Sequence, residues 1–543
     1  MKRFKLFLAM AALACAIGLT VKYGSTYRPV VEPVREIEEI WALEDAREES
    51  EEPLVTRLFC NGIPMAYDAE NNVFYGSLGL ENGAQWPEIK LTASEETAKG
   101  LSLCFADDYG FDDCDAAIRE GYSYQIFAYT DTAYSYAEVV FTGLPLVNVT
   151  AEQTIEREDV PAQIEIALAA EGLQTNGRIH KRGGASILND KVGYKLEFTR
   201  TTDGKKKIYR EIPGMGTDSQ VILLPMNALD TTMMRDRLSW ALYARLTRRD
   251  EPFSARKTQY CELFLNGEYR GVYLMLEPFS VRQEVAKAGE ERLTTDSVYR
   301  TAVISLSHGR PCMEDPYSAA TGFELYYPMD GEPDFSPLAD YFALLGETDD
   351  AAFMRRAAQI IDLDSALRYD VVLQLFGLTD NVINNMYTWA QNSRGHTRYR
   401  FDFWDLDVSW GLKRDEIGEM HENWVFFPLV DRLLRADEEG GVRQRYGEIY
   451  REVREKAFDT ETVEALVGQY AHELNDSGAM ARNAERWETE NYAADGYELV
   501  AFAAERITLL DEPVRAMSAG EEIDLRFLEK TNYDDKGTPL SEE

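Results

Sequence analysis

Two short segments hold the residues best suited to chemistry: Thr379-Asp380-Asn381-Val382-Ile383-Asn384-Asn385 and, downstream, Phe403-Trp404-Asp405-Leu406-Asp407-Val408-Ser409-Trp410-Gly411. An Asp followed five positions on by an Asn is a spacing that serves phosphoryl transfer. There the carboxylate orients an acceptor hydroxyl, and the amide, one turn later, reaches a metal ion bridging the phosphates. On this reading Asp380 is the catalytic carboxylate and Asn385 a metal-side ligand, with Asn384 its alternative. Asp405 and Asp407 lie two apart, so at a strand end both point to one side. Carboxylate oxygens of that kind suit Mg2+, Mn2+ or Ca2+. Asp402 is a spare acid, and Trp404 and Trp410 read as core. With only five His in the chain, a zinc enzyme or a His-based hydrolase does not fit. A glycosidase pair made of Asp405 and Asp407 fits poorly too, because inverting and retaining pairs need wider separation.

Phosphate also requires positive charge. Lys191 and Lys195 lie four apart in Lys191-Val192-Gly193-Tyr194-Lys195-Leu196-Glu197-Phe198, so on one strand they share a face. One of them would neutralise nucleotide phosphates and be held by a carboxylate, with Glu277 the expected partner. Arg182-Gly183-Gly184 would bring a guanidinium and backbone amides close to phosphate, since glycine permits close approach. Asp236, in Met234-Arg235-Asp236-Arg237, reads as an N-terminal salt-bridge residue of a helix.

Taken together these blocks resemble a known family. Arg182-Gly183-Gly184-Ala185-Ser186 with the lysine strand is similar to the arginine-glycine-x-x-serine element of the CotH family of spore-coat kinases. Leu265-Asn266-Gly267-Glu268-Tyr269-Arg270-Gly271 with Glu277 is similar to its hairpin, and Trp404-Asp405-Leu406-Asp407 to its WDxD element. The resemblance covers roughly residues 145 to 510. It implies a divergent, two-lobed protein-kinase-like fold that binds ATP and a divalent metal, Mg2+ or Mn2+ with Ca2+ as an alternative. It also implies transfer of phosphate to serines of exported coat-like proteins. Two positions depart from the family pattern: Val192 stands where a second lysine is common, and Phe403 where proline is common. There is no GxGxxG loop.

The elements that must position these residues read as α+β. Residues 54–144 carry short alternating runs, such as Ser123-Tyr124-Gln125-Ile126-Phe127-Ala128-Tyr129, separated by turn residues, which predicts a small all-β sandwich. The kinase-like unit, 145–516, is β-rich to about 290 and helical from about 340. Strands are expected over 162–168, 193–198, 259–265 and 271–276, the last two joined by the hairpin signal Asn266-Gly267. Helices are expected over 235–246, 364–378, 430–434, 448–457 and 461–475. Residues 26–53 read as an acidic linker, self-repelling or weakly helical over 30–53, and 517–543 as a polar tail.

Residues 1–25 combine Lys2, Arg3 and Lys5 with an apolar run over 6–21, the pattern of a signal peptide or an N-terminal membrane anchor. Lipidation at Cys15 is a further alternative. Each version puts the body of the protein outside the cytoplasm, secreted or membrane-anchored. A net charge of −38 over 543 residues argues against nucleic acid as a partner and suits a basic substrate, which the resemblance implies is exported and serine-bearing. Cys104 and Cys114 are candidates to close a hairpin in an oxidising compartment. The competing function is a catalytically silent surface or adhesion protein that keeps the fold.

Overall fold

A computed structural model describes residues 30–521 apart from 33–35, 82, 85–88, 95–99, 107–112, 184, 202, 227–228, 302–321, 330–332, 413–423, 426 and 490–493. The N-terminal segment, Cys312 and the expected tail beyond 521 lie outside the described residues.

Apolar residues on alternating positions of the strands between Leu146 and Leu276 close a seven-stranded barrel. Its strands are Leu146–Thr150, Val160–Leu168, Glu171–Arg182, Gly193–Thr199, Gln220–Leu224, Glu268–Leu276 and Thr258–Leu265 in spatial order, the last pairing in parallel with the first. Tyr194, Leu196 and Phe198 fill the interior with Val221, Leu223, Leu263 and Tyr273. The same period of two turns Lys195 and Glu197 outward. At the hairpin turn Asn266 (φ 54°) and Gly267 (φ 79°) both take left-handed backbone, the turn that matches the twist of two paired strands.

The remainder is mostly helical, with helices such as Leu363–Phe376, Gly441–Lys456, Thr460–Asp476 and Tyr497–Ser518. A four-stranded sheet sits among them, in the order Phe323–Tyr327, Ser297–Thr301, Met386–Ser393, His396–Phe403. One continuous apolar core joins the outer face of the barrel to these helices, from Ile222, Tyr260 and Leu274 to Phe376, Trp410 and Leu499. The class is therefore α+β, with strands concentrated early and helices late.

Residues 30–144 form a seven-stranded sheet and a three-stranded sheet around a shared core that includes Phe74, Ile126 and Val139. The unit is not all-β: it also contains the helices Ile37–Asp45 and Cys114–Glu120. The first lies within the segment read as a linker and is seated by Ile40, which is fully buried against Cys104 and Phe127. One apolar residue at the right position outweighs the acidic composition, because burial is local while surface charges stay solvated. No disulfide joins Cys104 to Cys114; the two thiols are buried in different clusters.

A buried ion pair fastens the barrel to the helices. Glu262, on the outer face of its strand and fully buried, accepts from Arg482 Nε at 2.9 Å and Nη2 at 2.8 Å, and from the Tyr269 hydroxyl at 2.7 Å. Burial raises the Glu262 carboxyl, but Arg482 more than offsets this and holds it below its ordinary value. Removing one partner of such a pair strands the other charge in an apolar setting. Glu262→Ala is expected to cost about 3–5 kcal/mol of stability, read by chemical denaturation; a loss below about 1 kcal/mol would contradict the assignment.

Candidate active site

The segment that opens the site follows helix Leu363–Phe376, which ends on Gly377 in left-handed backbone (φ 66°). Space and backbone both call for glycine there, since an added Cβ would stand 2.7 Å from the Phe502 ring. A short helix, Asp380–Ile383, comes next, preceded by Thr379, whose side chain makes no capping hydrogen bond. Asp380 is thus its first residue rather than its cap. It is buried, and its two carboxylate oxygens accept from Asn384 Nδ2 at 3.2 Å and from Asn385 Nδ2 at 2.9 Å. Both candidate asparagines therefore hold the carboxylate. Because Asn385 donates through nitrogen, its Oδ1 is the atom able to meet a cation.

Asn381, which the spacing argument passed over, ties this segment to the acidic turn. Its side chain is fully buried and donates from Nδ2 to the Trp404 carbonyl at 2.7 Å and to the Asn385 carbonyl at 3.4 Å. The Trp404 amide in turn donates to the Asn385 carbonyl at 2.9 Å, and the Tyr369 hydroxyl to the Asn381 carbonyl at 2.6 Å. The hairpin Met386–Ser393/His396–Phe403 links the two segments in sequence, so its far end delivers Asp405 beside Asp380's own loop. Asn385 (φ 57°) and Asp405 (φ 58°) both occupy left-handed backbone. Non-glycine residues persist there where the surroundings over-determine them, a condition that clusters at functional sites.

The turn after Asp405 is clamped by helix Arg235–Tyr243. Arg235 Nε donates to the Ser409 carbonyl at 3.1 Å, the Trp410 indole to Ser239 Oγ at 2.9 Å, and the Tyr243 hydroxyl to Asp402 at 2.9 Å. Burial lifts the Asp402 carboxyl to about 7. Trp410 stacks with Phe376 at 5.3 Å and with Phe458 at 5.4 Å, so it is core, as is Trp404. The salt bridge expected of Asp236 belongs to its neighbour: Arg235 pairs with Asp230 and Glu498. Asp236 is instead buried, one turn from the Trp240 indole that is its side-chain hydrogen-bond neighbour. Burial, followed by repulsion from Asp405 and Asp407, raises its carboxyl well above the ordinary range.

Arg182 ends its barrel strand above this acidic turn. Its guanidinium lies 6.0 Å from the Trp404 ring, and burial lowers it while Asp405 is its strongest charged neighbour, ahead of Asp236. The barrel's edge thus presents a cation to the carboxylates. Lys195 projects outward from the adjacent strand, paired across it with His180 and Ile222. Burial and then Lys207 lower its ammonium, and Arg182 is among the charges it senses.

Two expected partners are elsewhere. Glu277 is held by Arg249 at 2.6 Å, not by Lys195. The strand carrying Lys195 begins only at Gly193, so its alternation does not extend to Lys191. Lys191 Nζ donates to the Val272 carbonyl at 2.6 Å and Asn483 Oδ1 at 3.1 Å, beneath the rings of Tyr273 and Trp487. It docks helix Ala479–Arg486 onto the barrel.

Residues 179–510 match the family described as CotH kinase protein. The chain belongs to the CotH kinase family. No curated protein matches it. The family match begins near the C-terminal end of the third barrel strand, so Leu146–Thr150 and Val160–Leu168 precede it. All the residues considered above for the CotH kinase site fall within it.

The donors around the acidic turn, the Asp405 and Asp407 carboxylates and the Asn385 Oδ1, are hard oxygens of the kind a hard divalent cation takes. Among the described residues no three His, Cys, Asp or Glu side chains form a set able to hold a metal unaided. That is compatible with an ion held by one or two carboxylates and completed by phosphate oxygens and water, the habit of Mg2+.

Burial pushes the Lys191 ammonium down to about 7 from its ordinary 10.5. Between those values the unfolded chain binds the proton and the folded chain does not, so stability rises with pH across that window. Lys191→Met abolishes this contribution. The stability of the wild type relative to Lys191→Met should increase from pH 7 to pH 9.5, by up to about 1.4 kcal/mol per unit, in urea unfolding. Parallel pH profiles would contradict it.

Proposed function

We propose that the protein is a metal-dependent protein kinase with two kinase-like lobes, transferring the γ-phosphate of ATP to serine hydroxyls of exported, basic proteins outside the cytoplasm. The observation that carries this reading is the convergence of the Asp380–Asn385 loop and the Asp405/Asp407 turn, tied through Trp404 and faced by Arg182.

In this mechanism Asp380 orients the serine hydroxyl and receives its proton as Oγ bonds to the γ-phosphorus and the bond to the β–γ bridging oxygen breaks, releasing ADP. Asn385 fixes the position of Asp380 through its amide, and its Oδ1 would be the atom offered to the metal. Asp405 and Asp407 would hold the divalent ion, which supplies charge neutralisation for the phosphates. Arg182 and Lys195 would meet the phosphates from the barrel edge. Catalysis then rests on positioning and preorganised charge rather than on a covalent protein intermediate. The N-terminal pattern supports an extracytoplasmic setting, although no described helix is long and apolar enough to cross a membrane.

Two observations favour a second reading, a catalytically silent member of the family acting at the surface: Glu277 pairs with Arg249, and Lys191 is committed to a buried contact. Transfer of radiolabelled γ-phosphate by the full chain, with Mn2+ or Mg2+ and serine-rich basic acceptors, separates the two. The kinase reading expects incorporation that falls roughly 10²–10⁴-fold in Asp380→Asn. Incorporation that is absent across metals and acceptors, or equal in Asp380→Asn, supports the silent protein.

A further inference from the structure

Helix Arg235–Tyr243 presents two faces. Arg235, Ser239 and Tyr243, spaced four apart, meet the segment 402–410. Arg237 and Ala241, with Ala244 just past the helix end, fall at i, i+4 and i+7 on another face. They line a cavity of about 430 Å³, closed by segment 254–258 and by Gln469 and Tyr470 of helix Thr460–Asp476. That volume lies within the range of small-molecule sites. Four cations line it, Arg237, Arg249, Arg256 and Lys257, and none of its lining among the described residues is acidic. In a chain of net charge −38 such a lining runs against the composition.

These cations are held in place without being neutralised as a group. Arg237 is buried, pairs with Glu473 at 2.8 Å, and has its guanidinium 4.2 Å from the Tyr260 ring and 4.4 Å from the Tyr470 ring. Arg249 is exposed and pairs with Glu277 at 2.6 Å. Arg256 shares Glu284 with Lys287, each at 2.9 Å, and its buried Nη2 makes no hydrogen bond. Lys257 is exposed; its Nζ donates to the Met215 carbonyl at 3.1 Å, a neutral partner, and forms no ion pair among the described residues. Five cations thus stand against three carboxylates, an excess of two positive charges. A phosphate monoester carries about −1.5 to −2 at neutral pH, and guanidinium forks match its oxygens.

We propose that this cavity is a second anion site, separate from the acidic turn, that takes a phosphate monoester. Arg237 supplies a fixed charge in its wall, and the exposed Lys257 and Arg249 are the groups that reach the ligand. The site stands whether or not the protein transfers phosphate. Two sources carry the same chemistry: a phosphoserine side chain, such as an acceptor would bear after transfer, and the phosphates of a nucleotide.

The test is calorimetric titration of the full chain with O-phosphoserine, ADP and inorganic phosphate, in buffer containing EDTA so that no divalent ion carries phosphate to the acidic turn. Lys257→Gln and Arg249→Gln should each weaken the tightest-binding of the three about 10-fold, the usual worth of a hydrogen bond to a charged group. Both side chains are exposed, so the two variants should keep the wild-type Tm. Preference for O-phosphoserine assigns the site to a phosphorylated protein, and preference for ADP or for inorganic phosphate assigns it to a nucleotide or to the free ion; each, with the loss in the two variants, sustains it. Wild-type protein that binds none of the three overturns the inference. So does affinity unchanged in both variants, or lost in Arg182→Gln instead, which would put the anion beside the acidic turn. The kinase reading is judged apart from this, by transfer of labelled phosphate.

Discussion

Like charges gathered in a partly buried turn repel, and something other than their own chemistry must hold them. Here that constraint is met by the backbone of Trp404, which is gripped on both sides: its carbonyl by the Asn381 amide at 2.7 Å, its N–H by the Asn385 carbonyl at 2.9 Å. Because Asn381 and Asn385 belong to the same short loop as Asp380, the Asp380 carboxylate and the acidic turn cannot move independently. The left-handed backbone of Asn385 and Asp405 is the local strain this arrangement tolerates.

The rest of the molecule supports that junction. The hairpin ending at Phe403 spaces the two segments, and the helix carrying Asp236 clamps the turn from the other side through Arg235, Ser239 and Tyr243. The barrel contributes Arg182 at the end of one strand, and is itself pinned to the helices through Glu262–Arg482 and the buried Lys191. Positive charge from the strand-rich part therefore faces negative charge from the helical part across a junction that packing, not charge, keeps in register.

Burial sorted the lysines and acids into different roles. Lys191 and Lys195 are alike as residues, yet one lies under Trp487 and Tyr273 while the other projects from the outer face of its strand. Asp236 and Asp402 looked incidental in the chain; the first faces two carboxylates and the second accepts from Tyr243. Glu277 was a reasonable partner for Lys195 from its position after the hairpin, but Arg249 reaches it first. No periodicity encodes which of two distant cations arrives at a carboxylate.

What the chain itself determined is what depends on local pattern. The alternation in Gly193–Thr199, the Asn266-Gly267 turn, the helical periods ending near Phe376 and Asp476, and the D-x4-N and WDxD spacings all follow from side-chain period and turn chemistry over a few residues. The family resemblance was legible for the same reason, since it resides in short contiguous blocks. Closure of the barrel, the seating of the acidic segment's helix by Ile40, the locking role of Asn381, the burial of Lys191 and the electrostatic exposure of Asp236 to Asp405 and Asp407 were decided only by tertiary structure. Each depends on contacts between residues far apart in the chain, and desolvation and Coulomb repulsion take their magnitude from the surroundings a residue finds there rather than from its neighbours in sequence.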